Sequence, residues 1–216
     1  MQSILAQQIN ALQAKILIVP GKGNSEPGHW QSLLEARLPG ARRVEQANWQ
    51  QPSLMPWAER IAMAAREHDG PVLVVAHSFG CLAAVQALTA LGAPIAATLL
   101  VAPADPDRFG IDPTWLQSAL PGVHRMVISN NDPWLSPARA HALARAWKIP
   151  ALSLGYAGHI NVAAGFGAWP RGNVLLAKLL ARLIDRSAAG VSLLPADPQS
   201  VNTPLPSQFA RQGIAL

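Results

Sequence analysis

Charge is scarce in this chain of 216 residues: Asp, Glu, Lys and Arg make up 13%, while hydrophobic residues make up 50%. That balance excludes a disordered protein. The length favours one domain, or one domain with a tail. Cysteine is nearly absent. Cys81 stands alone, which rules out an internal disulfide framework and a cysteine-based zinc site. There is no basic run either. The 17 Lys and Arg against 12 Asp and Glu give a net charge of +5, but Arg42 and Arg43 are the one adjacent basic pair, so neither nucleic acid nor an anionic membrane is an expected partner. The longest apolar stretch, Ala93 to Ala104, has about a dozen residues and two prolines, short of the ~20 that span a bilayer. The first fifteen residues carry no basic segment ahead of their apolar residues and no small-x-small cleavage site, so no signal peptide is expected and the cytoplasm is the default location.

What is present is an alternation of short aliphatic runs with longer segments of helical period. The strand candidates are Lys15–Val19, Arg42–Gln46, Pro71–Ala76, Ile95–Ala102, His124–Ser129 and Ala151–Leu154; the second is the weakest, being largely polar. The helix candidates are His29–Leu38, Met55–Glu67, Phe79–Leu91, Pro113–Ala119, Pro137–Trp147 and Pro170–Arg186, three of them opened by proline, whose fixed φ suits a first helical turn. Strands that are apolar almost throughout belong in a sheet covered on both faces. The expected fold class is therefore α/β, a doubly wound and mainly parallel sheet of about six strands, with residues 1–186 as the domain. After Arg186 the thirty residues to Leu216 include four prolines and keep no period, and they read as a tail, either disordered or an arm on the domain or on a second subunit.

In such a sheet the ligand crevice lies beyond the carboxyl ends of the strands, so the residues that follow each strand carry the chemistry. The stretch VLVVAHSFG runs from a strand through Ala76-His77-Ser78-Phe79-Gly80 into an Ala- and Leu-rich helix. A sharp strand-to-helix turn pushes a serine oxygen outward, and small residues two before and two after the serine let neighbouring backbone approach. Ala76 takes the place usually held by glycine. A serine hydroxyl is a weak nucleophile that needs a base, itself oriented by an acid, and in this fold they follow in the order Ser, Asp or Glu, His. Asp132 follows the strand at His124–Ser129, and His159 follows the strand at Ala151–Leu154. Each alone is a common turn or loop residue; together they form the expected triad Ser78, Asp132 and His159. Asp105, after the strand at Ile95–Ala102, is the rival acid. His77 is a poor base for the adjacent serine, since consecutive residues in the turn point apart.

The oxyanion donors expected are the N–H of Phe79 and that of Lys22 or Gly23, in the glycine-bearing loop after the first strand. The phosphate-loop pattern GxxxxGK[ST] is not matched there. Among seven tryptophans, Trp134 and Trp30 are the candidates for an aromatic substrate pocket. No metal or cofactor is expected.

The segments Val19-Pro20-Gly21, Gly28-His29-Trp30, Ala76–Gly80, Val101–Asp105, Asn131-Asp132-Pro133, Gly158–Asn161 and Gly165–Pro170 resemble the small serine hydrolases that include retinoblastoma-binding protein nine. The likeness covers Lys15 to Arg186. It implies an α/β-hydrolase fold without a large cap and a triad at the three positions above. It also implies carboxylesterase or amidase-like activity on a small-molecule substrate. The rival expectation is a binding protein on a hydrolase scaffold, with the tail as a contact or dimerisation surface; acyl transfer to an acceptor other than water would use the same triad.

Overall fold

The computed structural model describes residues 3–38 and 40–194. Six strands form one sheet in the order β2-β1-β3-β4-β5-β6, every neighbouring pair parallel. They are β1 (Lys15–Val19), β2 (Arg42–Arg43), β3 (Val72–His77), β4 (Ile95–Val101), β5 (Val123–Ile128) and β6 (Ala151–Ser153). Every residue of β3 and β4 is buried, the signature of central parallel strands roofed on both sides. Because side chains alternate along a strand, β1 sends Leu17 and Val19 to one face and Ile16 and Ile18 to the other.

Helices α3 (Leu54–Arg66), α4 (Phe79–Thr89) and α5 (Pro137–Ala146) cover the first face. Helices α1 (Ile4–Leu12), α2 (Trp30–Arg37) and α6 (Pro170–Ala188) cover the second. Helix α4 is buried from Phe79 to Leu88, which explains why its sequence shows almost no polar face. Helix α6 is the opposite case: Gly172, Leu175, Leu176, Leu179, Leu180 and Leu183 form one buried stripe and the rest is partly or fully exposed.

Three elements depart from the sequence expectations. Helix α1 was not anticipated; Ser3 caps it by accepting from the Ala6 N–H, and Leu5 and Ile9 pack into the second core. Strand β2 is two residues long rather than five, as suits a polar edge segment. The segment expected as a helix over Pro113–Ala119 is a 3₁₀ turn, Pro113–Leu116. The expected tail lies mostly outside the described residues; of its beginning, Ser187 and Ala188 complete α6 and Leu193 packs against the second core. Among the described residues no helix is long and apolar enough to cross a membrane.

The chain runs outward from β1 to β2 and then returns to place β3 on the other side of β1. This is the switch point where adjacent crossovers part and leave a crevice at the carboxyl ends of the strands.

Candidate active site

At that switch point β3 ends and Ser78 turns sharply into α4. Its φ of 54° and ψ of −125° lie in a region that non-glycine residues seldom occupy. The turn is held by a bond from the Ser78 N–H to the Val101 carbonyl, 3.1 Å, and another from the Cys81 N–H to the Ser78 carbonyl, 3.0 Å. It also depends on two absent side chains. A Cβ on Gly80 would lie 2.4 Å from the Pro20 carbonyl oxygen and 2.5 Å from that of Val19, and a Cβ on Gly21 would lie 2.6 Å from the Ser78 Cβ. The end of β1 therefore presses directly on the elbow.

Asp132 and His159 reach the serine from the loops after β5 and β6. His159 Nδ1 lies 3.0 and 2.9 Å from the two Asp132 carboxyl oxygens, and its Nε2 lies 3.0 Å from Ser78 Oγ. A carboxylate can only accept, so Nδ1 carries the proton and Nε2 is free to accept from the serine hydroxyl. The His159 and Asp132 side chains are only 9% and 4% exposed, which keeps their interaction in a medium of low dielectric. Asp132 also accepts from the Trp134 N–H at 2.9 Å, which fixes its rotamer. Asp105 is engaged elsewhere: it caps a 3₁₀ turn through the Asp107 N–H and pairs with Arg139.

Residues not singled out in the sequence hold the two loops together. The Asn131 amide oxygen accepts from the Gly158 N–H at 2.8 Å and from the Ser129 hydroxyl at 2.8 Å. The Ser129 oxygen in turn accepts from the Ala157 N–H at 2.9 Å. The polar run Ser129-Asn130-Asn131 after an apolar strand is the sequence signal that could have marked them. On the far side of the crevice, Arg43 donates to Asn24 Oδ1, the Ser25 carbonyl, Ser32 Oγ and Glu35, pinning the loop after β1. The buried Gln31 amide donates to the Val19 and Val75 carbonyls, tying the ends of β1 and β3.

Two expected roles change. The Gly23 N–H donates to the Trp49 carbonyl at 2.8 Å, so it is committed and Lys22 remains as the loop's candidate oxyanion donor. Phe79 heads α4, where an N–H has no acceptor within the helix. Trp30, expected to line the substrate pocket, is instead buried under the histidine loop, and its indole N–H donates to the Ile160 carbonyl. Trp134 does stand at the rim: it is half exposed, its ring is 6.3 Å from that of His159, and the Arg108 guanidinium lies 5.1 Å over it. Cys81 is buried and its thiol is pushed up by burial, which leaves it inert as a nucleophile. Among the described residues no group of three or more His, Cys, Asp or Glu side chains is placed to hold a metal ion.

A six-stranded parallel sheet with a strained serine at the β3–α4 turn and no large cap is an α/β-hydrolase fold. A family model described as serine hydrolase matches residues 16–178, and the chain belongs to that family. Among solved structures, a YdeN-like hydrolase from Pectobacterium atrosepticum is 34% identical, with a TM-score of 0.78, over 89% of this chain and 100% of that one. The ydeN gene product of Bacillus subtilis is 22% identical, with a TM-score of 0.66, over 78% of this chain and 99% of that one. Acyl-protein thioesterase 2 of Zea mays shares the fold at 16% identity and a TM-score of 0.52, over 78% and 93%. No curated protein matches the sequence. The chain is thus a hydrolase by family.

Proposed function

We propose that the protein hydrolyses carboxylic esters of small acyl groups through Ser78, His159 and Asp132, with amides as a second class of substrate. The observation that carries this reading is the continuous chain from Ser78 Oγ to His159 Nε2 at 3.0 Å and from His159 Nδ1 to Asp132 at 2.9 Å. Ser78 Oγ attacks the acyl carbon while His159 Nε2 takes its proton. The N–H groups of Phe79 and Lys22 bind the oxyanion, and Asp132 stabilises the imidazolium. His159 then protonates the departing alkoxide, leaving an acyl group on Ser78. Water attacks that acyl carbon, gives a proton to His159, and the carboxylic acid leaves as the proton returns to Ser78 Oγ.

The serine hydrolase family and the fold support hydrolysis by such a route. The test is fluorophosphonate labelling read by intact mass, with turnover of short p-nitrophenyl esters alongside. Wild type should gain one adduct and turn over ester, while Ser78→Ala should lose the adduct and at least about 10³-fold of turnover. A folded wild type that neither labels nor turns over ester would overturn the reading.

A further inference from the structure

The triad reading leaves open what aims the base. His159 sits in a loop with no regular structure, flanked by two residues at positive φ, a conformation that is free for Gly158 but strained for Ile160. Gly158 has a φ of 54° and Ile160 a φ of 48°. A β-branched side chain at positive φ is a genuine outlier, and it persists only where surroundings enforce it. Ile160 is completely buried, so its side chain is one anchor. The other anchors are two ring N–H groups that grip successive carbonyls of the loop. His77 Nε2 lies 2.9 Å from the His159 carbonyl oxygen, and Trp30 Nε1 donates to the Ile160 carbonyl oxygen at 2.9 Å.

A carbonyl oxygen only accepts, so His77 must carry its proton on Nε2. Burial, reinforced by His159 and His29 nearby, drives the His77 pKa well below its ordinary value, so the ring is neutral with one tautomer. The rings also form a row of tilted and edge-to-face contacts under the base: the His77 ring is 4.8 Å from that of His159, Trp30 meets His77 edge to face at 6.0 Å, and Trp169 meets Trp30 edge to face at 5.2 Å. His77 is the residue before the nucleophile. One dipeptide at the end of β3 therefore touches the base twice, through Ser78 Oγ at its imidazole and through His77 Nε2 at its backbone.

We propose that His77 and Trp30 are positioning residues for His159, setting the distance and angle between its Nε2 and Ser78 Oγ by holding the two carbonyls of the strained loop. The inference rests on the triad reading above. A misplacement of the base of the order of 1 Å costs about a hundredfold in the chemical step, so the effect belongs in kcat and not in KM.

The experiment compares His77→Leu, which keeps bulk but has no donor, with His77→Gln, whose amide can still donate, and with Trp30→Phe, which removes the indole N–H but keeps a ring. Turnover of p-nitrophenyl acetate and the rate of fluorophosphonate labelling are measured on each folded variant. His77→Leu should lose about tenfold to a hundredfold in kcat and in labelling rate with KM within about threefold, His77→Gln should recover most of that loss, and Trp30→Phe should lose several-fold. If His77→Leu fails to fold, the Trp30→Phe result decides. Wild-type rates in His77→Leu and Trp30→Phe, an effect confined to KM, or equal losses in His77→Leu and His77→Gln would overturn positioning and leave the triad reading standing. A wild type whose Ser78 does not label would remove both.

Discussion

Ser78 and the two residues proposed as its partners are held by different physics. Ser78 is placed by backbone and packing: a strand buried throughout, a helix buried along its first ten residues, and two glycines that let the end of β1 close against the turn. Asp132 and His159 hang from the ends of β5 and β6, and β6 is only three half-buried residues long. They are placed by side chains that bond to backbone, chiefly Asn131, Ser129, His77 and Trp30. The first arrangement fails by collision and the second by losing a hydrogen bond. Errors at the elbow should therefore threaten the fold, and errors at the loops should threaten the rate.

The strongest way to break this contrast is Gly80→Ala. The added methyl meets two backbone carbonyl oxygens at 2.4 and 2.5 Å, and neither can swing aside as a side-chain end could. Overpacking that forces backbone to move costs about 1–3 kcal/mol, and the upper end is expected here, where both opposing atoms are backbone. Urea unfolding should show a clearly lower midpoint, or the variant should fail to accumulate as folded protein. A midpoint equal to wild type would mean that β1 does not press on the elbow.

A smaller effect is expected from Asn131→Ala. The change strips the acceptor from the Gly158 N–H and the Ser129 hydroxyl, the bonds that register the Asp132 loop against the His159 loop. About tenfold should be lost from ester kcat, with stability reduced by roughly 1 kcal/mol. Should stability fall severely while the surviving activity per folded molecule is unchanged, the loops would be doing the structural task assigned here to the elbow.

The same contrast explains what could be read from the sequence. Five strands and the elbow were legible to within about one residue at each end, because a continuous apolar run such as Val72–Ala76 and the small residues Ala76 and Gly80 are local signals. The positions of Asp132 and His159 after later strands were legible for the same reason. What stayed hidden depends on distant residues. The Gly23 N–H is taken up by the Trp49 carbonyl, 26 residues on, and Trp30 is drawn under Ile160, 130 residues on; no local pattern encodes either pairing. Helix α1 is only faintly marked in the sequence: it buries just Leu5 and Ile9, and Ser3 is its one local start signal. The Pro113 segment carried a helix-start proline with an Asp112 cap but too few apolar residues to extend beyond one 3₁₀ turn.

The finest distinction between the two regions concerns protons. His29, which caps α2 and lies 5.0 Å from the His77 ring, is lowered from 6.5 to about 4, first by burial and then, against a raising influence from Glu26, by Arg43 and His159. The folded protein thus binds this proton more weakly than the unfolded chain does. Its contribution to stability is complete above pH 6.5 and is lost as the pH falls from 6.5 toward about 4. His77 acts in the same direction from beneath the histidine loop. His124 does so from the far end of the sheet, where burial also lowers it to about 4 between Thr98 and the Pro121 carbonyl. His29→Asn keeps a capping acceptor for the Gln31 N–H but removes the titrating ring. Its unfolding free energy should therefore fall less steeply with acid than that of wild type, the difference reaching on the order of 1 kcal/mol near pH 5.5. Equal acid slopes for the two proteins would mean that His29 takes up its proton in the folded state without penalty, and the carboxyl end of the sheet would then be no more acid-sensitive than its opposite end.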